Sequence, residues 1–318
     1  MKKVELHLHL DGSLRVSTLR ELSPLEYKEK IESFVSVNSN DRTLVDYLKK
    51  FDLPILIMQS SEVLERVAFE LVEDLYHDDT IYAEIRVAPI QHMKEGLSDS
   101  EVVQSILKGI DKGITKYKIK VKLLLCAMRH LPEEENFFLI DLAQKFKDEG
   151  VVGLDLAGNE KDYPVNLFSN FFKKAKELNI PFTIHAGEAT GYKSILDSIK
   201  LGAKRLGHGI RAYEDKETLK IIKNDKICLE CCPISNFNTN AIIDFDKYPL
   251  REYLDLGLNV TLNSDNRTVS NTNFNKEIEF LRKHIRLTDK DILKMNINAI
   301  NSAFISDEEK IELIKLLI

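Results

Sequence analysis

The sequence contains no apolar stretch long enough to cross a membrane. Among its 318 residues, 43% of which are hydrophobic, no uninterrupted apolar run approaches the length of about 18 residues that a spanning helix needs. A secretory signal would need an apolar stretch of about 7–15 residues directly after its charged start. Glu5 and His7 are polar residues at the positions where that apolar stretch would lie. We therefore expect a cytoplasmic protein without a membrane partner.

A surplus of positive charge is also missing. The formal net charge is −6, and acidic and basic residues are mixed along the chain rather than gathered into a basic stripe. Proteins that bind nucleic acids use such a stripe to contact phosphates. The charge pattern therefore favours a small molecule, rather than a nucleic acid, as the partner.

Cysteine is scarce. The four cysteines are Cys126, Cys228, Cys231 and Cys232. Cys231 and Cys232 are adjacent in a strand-like run, so their side chains would point to opposite faces of a strand. The spacing suits neither a disulfide framework nor a zinc site with four cysteines. We expect buried, reduced thiols, as in cytosolic proteins.

What the sequence does contain is an alternation of short apolar runs and helical stretches. Eight runs are rich in Val, Ile and Leu, namely residues 4–10, 81–88, 121–128, 151–157, 181–186, 205–209, 227–233 and 258–264. Such runs are typical of parallel strands covered on both faces, and the segments between several of them repeat apolar residues at helical spacing. Alternating strands and helices predict a parallel sheet. Eight such units predict an α/β fold of the (β/α)8 TIM-barrel type.

The remaining segments are interpreted as additions to a single barrel domain spanning residues 1–318. Length alone leaves open two ordinary domains or one large barrel. No low-complexity linker and no internal repeat divides the chain. Residues 17–59 show no strand pattern and predict extra helices inserted after strand 1. Residues 289–318 predict extra amphipathic helical structure at the C-terminus.

Polar residues with metal-binding or acid–base chemistry stand at the ends of the predicted strands. They are His7, His9 and Asp11 on the first, His185 and Glu188 on the fifth, His208 on the sixth, and Asp265 and Asn266 on the eighth. The C-terminal mouth of a barrel is where active sites lie. A lone histidine in a strand is more often structural than functional, but this combination at one mouth favours a site.

The types of side chain favour zinc as the metal. Three imidazoles and one carboxylate are available, on His7, His9, His185 and Asp265. Such a set suits zinc or another borderline cation better than magnesium or calcium, and catalytic zinc lowers the pKa of a bound water to about 7. We expect Asp265 to hydrogen-bond that water, His208 to orient or deprotonate it, and Glu188 to carry a proton to the substrate.

Charged residues within the predicted strands need partners. Asp155 stands in an apolar run, and a buried charge must be paired, so we expect it to orient a metal-bound histidine. Glu84 and Arg86 share one face of the second strand, where we expect a structural ion pair.

Six motifs make the sequence resemble the adenosine deaminase family, a branch of the metal-dependent amidohydrolases. They are His-Leu-His-Leu-Asp-Gly-Ser (7–13), Leu-Asp-Leu-Ala-Gly (154–158), His-Ala-Gly-Glu (185–188), Arg-Leu-Gly-His-Gly (205–209), Cys-Pro-Ile-Ser-Asn (232–236) and Asn-Ser-Asp-Asn (263–266). They follow the order of the family and span almost the whole chain. The family has a (β/α)8 barrel, which agrees with the strand count.

The resemblance implies the reaction and its catalytic groups. One Zn²⁺ per subunit would be bound by His7, His9, His185 and Asp265. Glu188 would protonate purine N1, and His208 would orient the water and stabilise the incoming charge. Asp265 would hydrogen-bond the same water. The implied reaction is the hydrolytic deamination of adenosine and 2′-deoxyadenosine to inosine and 2′-deoxyinosine plus ammonia, with zinc hydroxide adding at C6. Purine salvage would be its setting.

The resemblance also implies the contacts with a purine nucleoside. Gly158 would donate from its backbone to purine N3, and a glycine permits close approach to the ring. Asp11 would accept from the ribose 5′-hydroxyl, Asn266 would donate to N7, and His9 would lie against the substrate. In the inserted helices, Leu48 and Phe51 would form an apolar gate over the purine, with plain helix packing as the alternative.

Other functions remain open on the sequence alone. The same chemistry could act on adenine, 5′-methylthioadenosine or another aminopurine nucleoside. A zinc phosphoesterase also begins with His-x-His, but would need more histidine and aspartate ligands at strand ends. A catalytically inactive relative would act as a binding module, although every expected acid, base and ligand is present.

The amide at position 266 gives the first testable prediction. Many relatives have an aspartate there, which must be protonated to donate to N7, whereas an amide donates without that requirement. Asn266→Ala is expected to raise KM or lower kcat for adenosine in steady-state assays. Unchanged kinetics would rule out the contact with N7.

Overall fold

The computed structural model describes residues 1–38 and 43–318, and parallel β-strands form its centre. The strands are β1 (Lys3–His9), β2 (Thr80–Val87), β3 (Lys120–Met128), β4 (Val151–Ala157), β5 (Thr183–Ala186), β6 (Arg205–His208), β7 (Cys228–Cys231) and β8 (Asn259–Leu262). Each overlaps one of the apolar runs in the sequence. All residues of β2 are buried, which explains why the runs are almost continuously apolar. The predicted class of parallel strands with helices is confirmed.

Helices follow the strands and cover the barrel. The segment after β1 contains α1 (Val16–Leu22), α2 (Leu25–Lys28), α3 (Ile31–Val35), α4 (Leu44–Leu48) and α5 (Asp52–Ile57), before the long α6 (Ser61–His77). The outer layer continues with α7 (Asp99–Lys116), α8 (Glu133–Asn136), α9 (Phe138–Lys145), α10 (Ser169–Glu177), α11 (Tyr192–Leu201), α12 (Lys216–Asn224), α13 (Pro233–Asn238), α14 (Leu250–Asp255) and α15 (Phe274–Ile285). The prediction of helices without a strand between β1 and α6 is confirmed for the described part of that segment.

The strands pair as two four-stranded sheets, β1 to β4 and β5 to β8, which meet at two seams. At the first seam, the amide of Leu154 donates to the carbonyl of Pro181 at 2.9 Å. At the second, the amide of His9 donates to the carbonyl of Asp265 at 2.8 Å, and the amide of Asp265 donates to the carbonyl of His7 at 3.0 Å. The barrel is therefore closed between β8 and β1 by the backbone of a residue that we expected to be a metal ligand.

Asparagine side chains satisfy the backbone of β1 below that seam. The Oδ1 atom of Asn263 accepts from the amides of Leu6 and His7 at 2.8 and 3.1 Å, and Oδ1 of Asn296 accepts from Val4 at 2.9 Å. A buried backbone amide without a partner costs about 1–3 kcal/mol. These side chains therefore replace strand pairing where β8 diverges from β1.

The C-terminal segment is helical, as predicted, and it forms two helices. They are α16 (Asp289–Ser302) and α17 (Asp307–Leu317). Between them, the amide of Phe304 donates to the buried carboxylate of Glu84 at 2.8 Å, which breaks the helical hydrogen-bond pattern. A capping box of Ser306 and Glu309 then starts the second helix. Both helices pack at the N-terminal end of the barrel, where Leu313 joins a cluster with residues of β1 and β2.

Within residues 1–38 and 43–318, no helix combines the length and the apolar character that a membrane span requires. All four cysteines are buried and unpaired, as predicted.

Candidate active site

Four predicted ligands meet at the C-terminal mouth of the barrel. His7, His9, His185 and Asp265 each offer one ligand atom, and these atoms all lie within 4.8 Å of one another. The Nε2 atoms of His9 and His185 are 3.2 Å apart, and Oδ1 of Asp265 is 3.3 Å from Nε2 of His7. Asp265 has a left-handed backbone, with φ of +60°. Such strain in a non-glycine residue persists only where the surrounding structure holds it.

Carboxylates fix the direction of two of the imidazole rings. The Nδ1 atom of His7 lies 2.9 Å from Oε2 of Glu230, and Nδ1 of His185 lies 3.1 Å from Oδ2 of Asp155. A histidine that donates from Nδ1 to a carboxylate directs its Nε2 lone pair at the opposite side. The expectation that Asp155 orients a histidine therefore agrees with the geometry.

The orphaned atoms at the centre fit a metal cation. Nε2 of His7 and Oδ1 of Asp265 are buried and have no hydrogen-bond partner among the described residues. Imidazole nitrogens and one carboxylate oxygen that converge on a point are the donor set of a tetrahedral or five-coordinate transition metal. The residues present therefore fit a single divalent ion.

A buried ionic network supports these carboxylates from inside the barrel. Arg86 donates to Oδ2 of Asp155 at 2.8 Å and to Oε2 of Glu230 at 2.9 Å. Arg205 donates hydrogen bonds to the other oxygen of Glu230 at 2.6 Å and to Glu84 at 2.5 Å. The expectation of an ion pair between Glu84 and Arg86 is therefore wrong in its partners: each pairs with a residue of another strand, because both side chains point into the crowded barrel interior.

The pKa values of the two supporting carboxylates reflect this network. Burial by itself would raise the pKa of Asp155, but His185 and Arg86 hold it well below its usual range. Burial would likewise raise the pKa of Glu230, and Arg205 and Arg86 lower it well below its usual range. Both groups are therefore carboxylates that accept hydrogen bonds from the imidazoles.

Glu188 stands next to the cluster in a different electrostatic environment. Burial, followed by the charge of Asp265, raises the pKa of Glu188 to about 7. Its Oε2 is 3.5 Å from Nε2 of His208, and its Oε1 is 3.3 Å from the hydroxyl of Thr239. A carboxyl group that titrates near neutrality can both hold and release a proton, which is what a general acid requires.

His208 is neutral and its ring is oriented. Burial lowers its pKa to about 4. The amide nitrogen of Asn236 donates to its Nδ1 at 2.9 Å, and the hydroxyl of Tyr248 donates to the amide oxygen of Asn236 at 3.0 Å. This chain of hydrogen bonds leaves the ring proton of His208 on Nε2, the atom that faces Glu188.

A cavity of about 550 Å³ opens in front of these groups. A volume of this size accommodates a nucleoside. Its lining includes the predicted site residues His9, Asp11, Gly158, His185, Glu188, His208, Asp265 and Asn266, together with Leu48 and Phe51 from the inserted helices. His7 is buried directly beneath, as the fourth member of the donor cluster. The structure thus brings every predicted site residue together.

At one side of the cavity, Asp11 lies against a buried histidine. Burial raises the pKa of Asp11 to about 7, and its Oδ1 has no hydrogen-bond partner among the residues that the structure describes. Nε2 of His92 is 4.0 Å from Oδ2 of Asp11, while Nδ1 of His92 is 3.1 Å from the carbonyl of Met58. Asp11 is therefore available to a ligand.

Asn266 is fixed by a tyrosine of the inserted helices. Its Nδ2 donates to the hydroxyl of Tyr47 at 3.0 Å, and that hydroxyl is 2.7 Å from Oγ of Ser270. The contact leaves the second hydrogen of the amide group for a ligand. A Cβ on Gly12 would lie only 1.9 Å from Oδ1 of Asn266, so the turn after β1 needs glycine at this position.

Several functional neighbours escaped the sequence reasoning. Glu230 stands in an apolar run, as Asp155 does, and the same argument about buried charge would have found it. Asn236 belongs to the Cys-Pro-Ile-Ser-Asn motif but was assigned no role. Tyr47 carries no local signal, because its position depends on how the inserted segment folds over the mouth. His92 lies in the short turn Pro89–His92 directly after β2, where the rule about polar residues at strand ends also applies.

A comparison with models of protein families matches residues 2–318 to the model described as Adenosine deaminase. The chain belongs to the adenosine deaminase family. Curated relatives include the adenosine deaminase of Clostridium acetobutylicum, 41% identical over 325 residues, which cover 100% of this chain and 97% of the relative. The adenosine deaminase of Clostridium kluyveri is 41% identical and covers 96% of this chain and 90% of the relative. The family resemblance of the motifs is thus confirmed.

Solved structures show the same fold. An Arabidopsis N6-mAMP deaminase superimposes with a TM-score of 0.90 at 27% identity, covering 100% of this chain and 97% of that one. The adenine deaminase of Arthrobacter aurescens gives 0.91 at 23% identity, with coverage of 99% and 97%. An amidohydrolase of Burkholderia ambifaria, with bound Zn, gives 0.90 at 21% identity, with coverage of 100% and 89%. The adenosine deaminase family is metal-dependent, which agrees with the donor cluster.

The buried histidine next to Asp11 predicts a pH dependence of stability. Burial lowers the pKa of His92 to about 4, whereas an unfolded histidine titrates near about 6.5. Since the unfolded chain takes up this proton first, the free energy of unfolding falls as the pH drops from about 6.5 to about 4. His92→Gln is expected to lose about 3 kcal/mol less over that interval, measured by urea unfolding of metal-free protein.

The matched control for this variant is the exposed His77→Gln, which should follow the wild type. If His92→Gln loses stability as steeply as the wild type, His92 is not a buried neutral imidazole.

Proposed function

We propose that this protein hydrolyses the 6-amino group of adenosine and 2′-deoxyadenosine, giving inosine and 2′-deoxyinosine plus ammonia. The observation that carries the proposal is the convergence of three imidazoles and Asp265 next to Glu188, a carboxyl group whose pKa is about 7. Family membership and curated relatives named adenosine deaminase support the same activity.

The proposed metal site consists of His7, His9, His185 and Asp265, with one Zn²⁺ per subunit. Three imidazole nitrogens and one carboxylate oxygen suit zinc better than magnesium or calcium. When bound, such an ion acts as a Lewis acid and makes water available as hydroxide near neutral pH.

The protein's own groups would divide the acid–base work. Glu188, whose pKa of about 7 leaves part of the population protonated at neutral pH, would deliver its proton to purine N1, which makes C6 electrophilic. His208 carries its proton on Nε2 beside Glu188 and would orient the attacking water. Asp265, held as a carboxylate by its histidine neighbours, would accept a hydrogen bond from that water. The burial of all three excludes bulk water and strengthens these interactions.

Other residues would place the purine and the ribose. The Gly158 amide would donate to N3, and the free amide hydrogen of Asn266 would donate to N7. Asp11, with one oxygen that has no partner in the described chain, would accept from the ribose 5′-hydroxyl. We further propose that Leu48 and Phe51, which line the cavity on the inserted helices, form the apolar gate.

A second group of substrates keeps the same chemistry. The solved relatives include proteins named as adenine and N6-mAMP deaminases. Adenine would leave Asp11 without its ribose partner, and a 5′-phosphate would bring a like charge next to its carboxylate. Both considerations favour an uncharged nucleoside with a 5′-hydroxyl group. In the alternative substrate 5′-methylthioadenosine, the thioether sulfur has no hydrogen to donate to Asp11.

The setting of the reaction is also a proposal. We place the protein in the cytoplasm, in purine salvage, with the whole chain working as one barrel domain. The four unpaired cysteines are compatible with a reducing compartment.

The substrate assignment is tested by the loss of absorbance at the adenine maximum. Adenosine, 2′-deoxyadenosine, adenine and 5′-methylthioadenosine are assayed with wild-type protein and with Glu188→Gln. We expect turnover of adenosine and 2′-deoxyadenosine, and less turnover of adenine and 5′-methylthioadenosine, which both lack the 5′-hydroxyl. Glu188→Gln should lower kcat by about 100-fold or more, because it cannot donate the proton. Turnover of adenine without adenosine would overturn the role of Asp11, and no turnover of any substrate would overturn the function.

The metal site is tested through a residue that does not itself bind the ion. Glu230→Gln replaces the carboxylate behind His7 with a weaker, neutral acceptor. It is expected to weaken Zn²⁺ binding by about 10–100-fold, measured by competition with a chromophoric chelator. Glu84→Gln is the matched control, since Glu84 belongs to the same network but contacts Tyr82, Arg205 and Phe304. Equal losses in both variants would contradict a specific role of Glu230 behind the ligand.

A further inference from the structure

Glu160 is a buried carboxylate in the loop after β4, with 2% of its surface exposed. Its Oε1 accepts from the amide of Gly187 at 2.6 Å. Its Oε2 accepts from three consecutive amides, those of Glu188, Ala189 and Thr190, at 3.1, 2.8 and 3.0 Å. Backbone amides only donate and carboxylate oxygens only accept. The direction of all four hydrogen bonds is therefore unambiguous.

The loop that receives this carboxylate has a conformation that depends on it. The chain turns at Gly187, where φ is +70°, and a Cβ there would lie 2.6 Å from Cδ1 of Ile195. The turn directs successive amides at one point, which forms a concave site for an anion. The side chain of Glu160 occupies that point, so it determines where the backbone of Glu188 lies.

The loop after β4, which carries Glu160, also forms part of the wall of the cavity that we assign to the purine. Glu160 is two residues beyond Gly158, which lines the cavity with φ of +110°. Inside the barrel, β4 and β5 are joined at the first seam by an isolated parallel bridge between Leu154 and Phe182. At the mouth, the carboxylate of Glu160 ties the two loops together where regular strand pairing does not.

We propose that Glu160 is a positioning residue, which fixes the carboxyl group of Glu188 relative to the amide of Gly158. The inference rests on the function proposed above, in which these two groups contact N1 and N3 of one purine ring. Both contacts can form together only if the two loops keep a fixed separation. A misplacement of about 1 Å at a reacting group lowers a rate by on the order of 100-fold. The contact therefore bears on kcat rather than on folding alone.

Glu160→Gln is the main test, because the amide has the same shape but turns one N–H group towards backbone N–H donors. We expect kcat for adenosine to fall by about 10–100-fold, KM to change by less than about twofold, and the metal content to stay at the wild-type level. Glu133→Gln is the matched control: its carboxylate also accepts from a backbone amide, that of Phe171 at 2.7 Å, but neither residue lines the cavity. It should keep wild-type kcat.

A double-mutant cycle shows whether Glu160 acts through Glu188. In the Glu188→Ala background, adding Glu160→Gln should lower kcat by less than about twofold, because the group being positioned is already gone. Glu160→Asp retains the acceptor on a shorter side chain and should give a kcat between those of the wild type and Glu160→Gln.

Three results would overturn the inference. They are a folded Glu160→Gln protein with kcat within about twofold of the wild type, an equal loss of kcat in both backgrounds, and failure of both Glu160 variants to fold, which would assign the carboxylate to folding. A wild-type protein that does not turn over adenosine would remove the proposed function and this inference together. Wild-type turnover with an unaffected Glu160→Gln would remove the inference alone.

Discussion

The mouth of this barrel depends on one guanidinium group that bonds two carboxylates at once. Arg86 donates to Asp155 and to Glu230, and each of these holds Nδ1 of a different histidine. An imidazole can rotate or change tautomer, so the directions of the Nε2 lone pairs of His7 and His185 depend on Arg86, which Arg205 assists at Glu230. Removing one partner of such a buried ion pair costs about 3–5 kcal/mol, which makes the arrangement rigid.

Burial acts in opposite directions on the two acid–base groups of the site. It raises the pKa of Glu188 to about 7 and lowers the pKa of His208 to about 4. The ordinary order of an acid and a histidine is thereby reversed, and at neutral pH the mobile proton belongs to the carboxyl group. Pairs of titratable groups whose environments separate their pKa values in this way are typical of general acid–base catalysis.

The sequence was sufficient for the barrel class and for the polar residues at the strand ends, because both depend on local patterns. Apolar runs identify buried parallel strands whatever their partners are, and chain order places the end of each strand at one mouth. The partners of Glu84 and Arg86 could not be found this way, since they depend on which strands face each other across the barrel. Nor could the break between α16 and α17, which depends on the distant carboxylate of Glu84.

The residues of the inserted segment were the hardest to interpret. Tyr47 reaches Asn266 only after the helices following β1 fold over the mouth. The lack of a strand pattern predicts that such helices exist but not which residue lies above which strand. By contrast, Glu230 was within reach of the argument that found Asp155, because both are single charges in apolar runs.

The seam between β8 and β1 links metal binding to the integrity of the barrel. The backbone of Asp265 closes this seam through the carbonyl of His7 and the amide of His9, and the side chains of the same three residues point at the donor cluster. A cation bound by all three side chains would also hold the first and last strands together. Part of the free energy of metal binding would therefore stabilise the folded barrel, so metal binding and folding are thermodynamically linked.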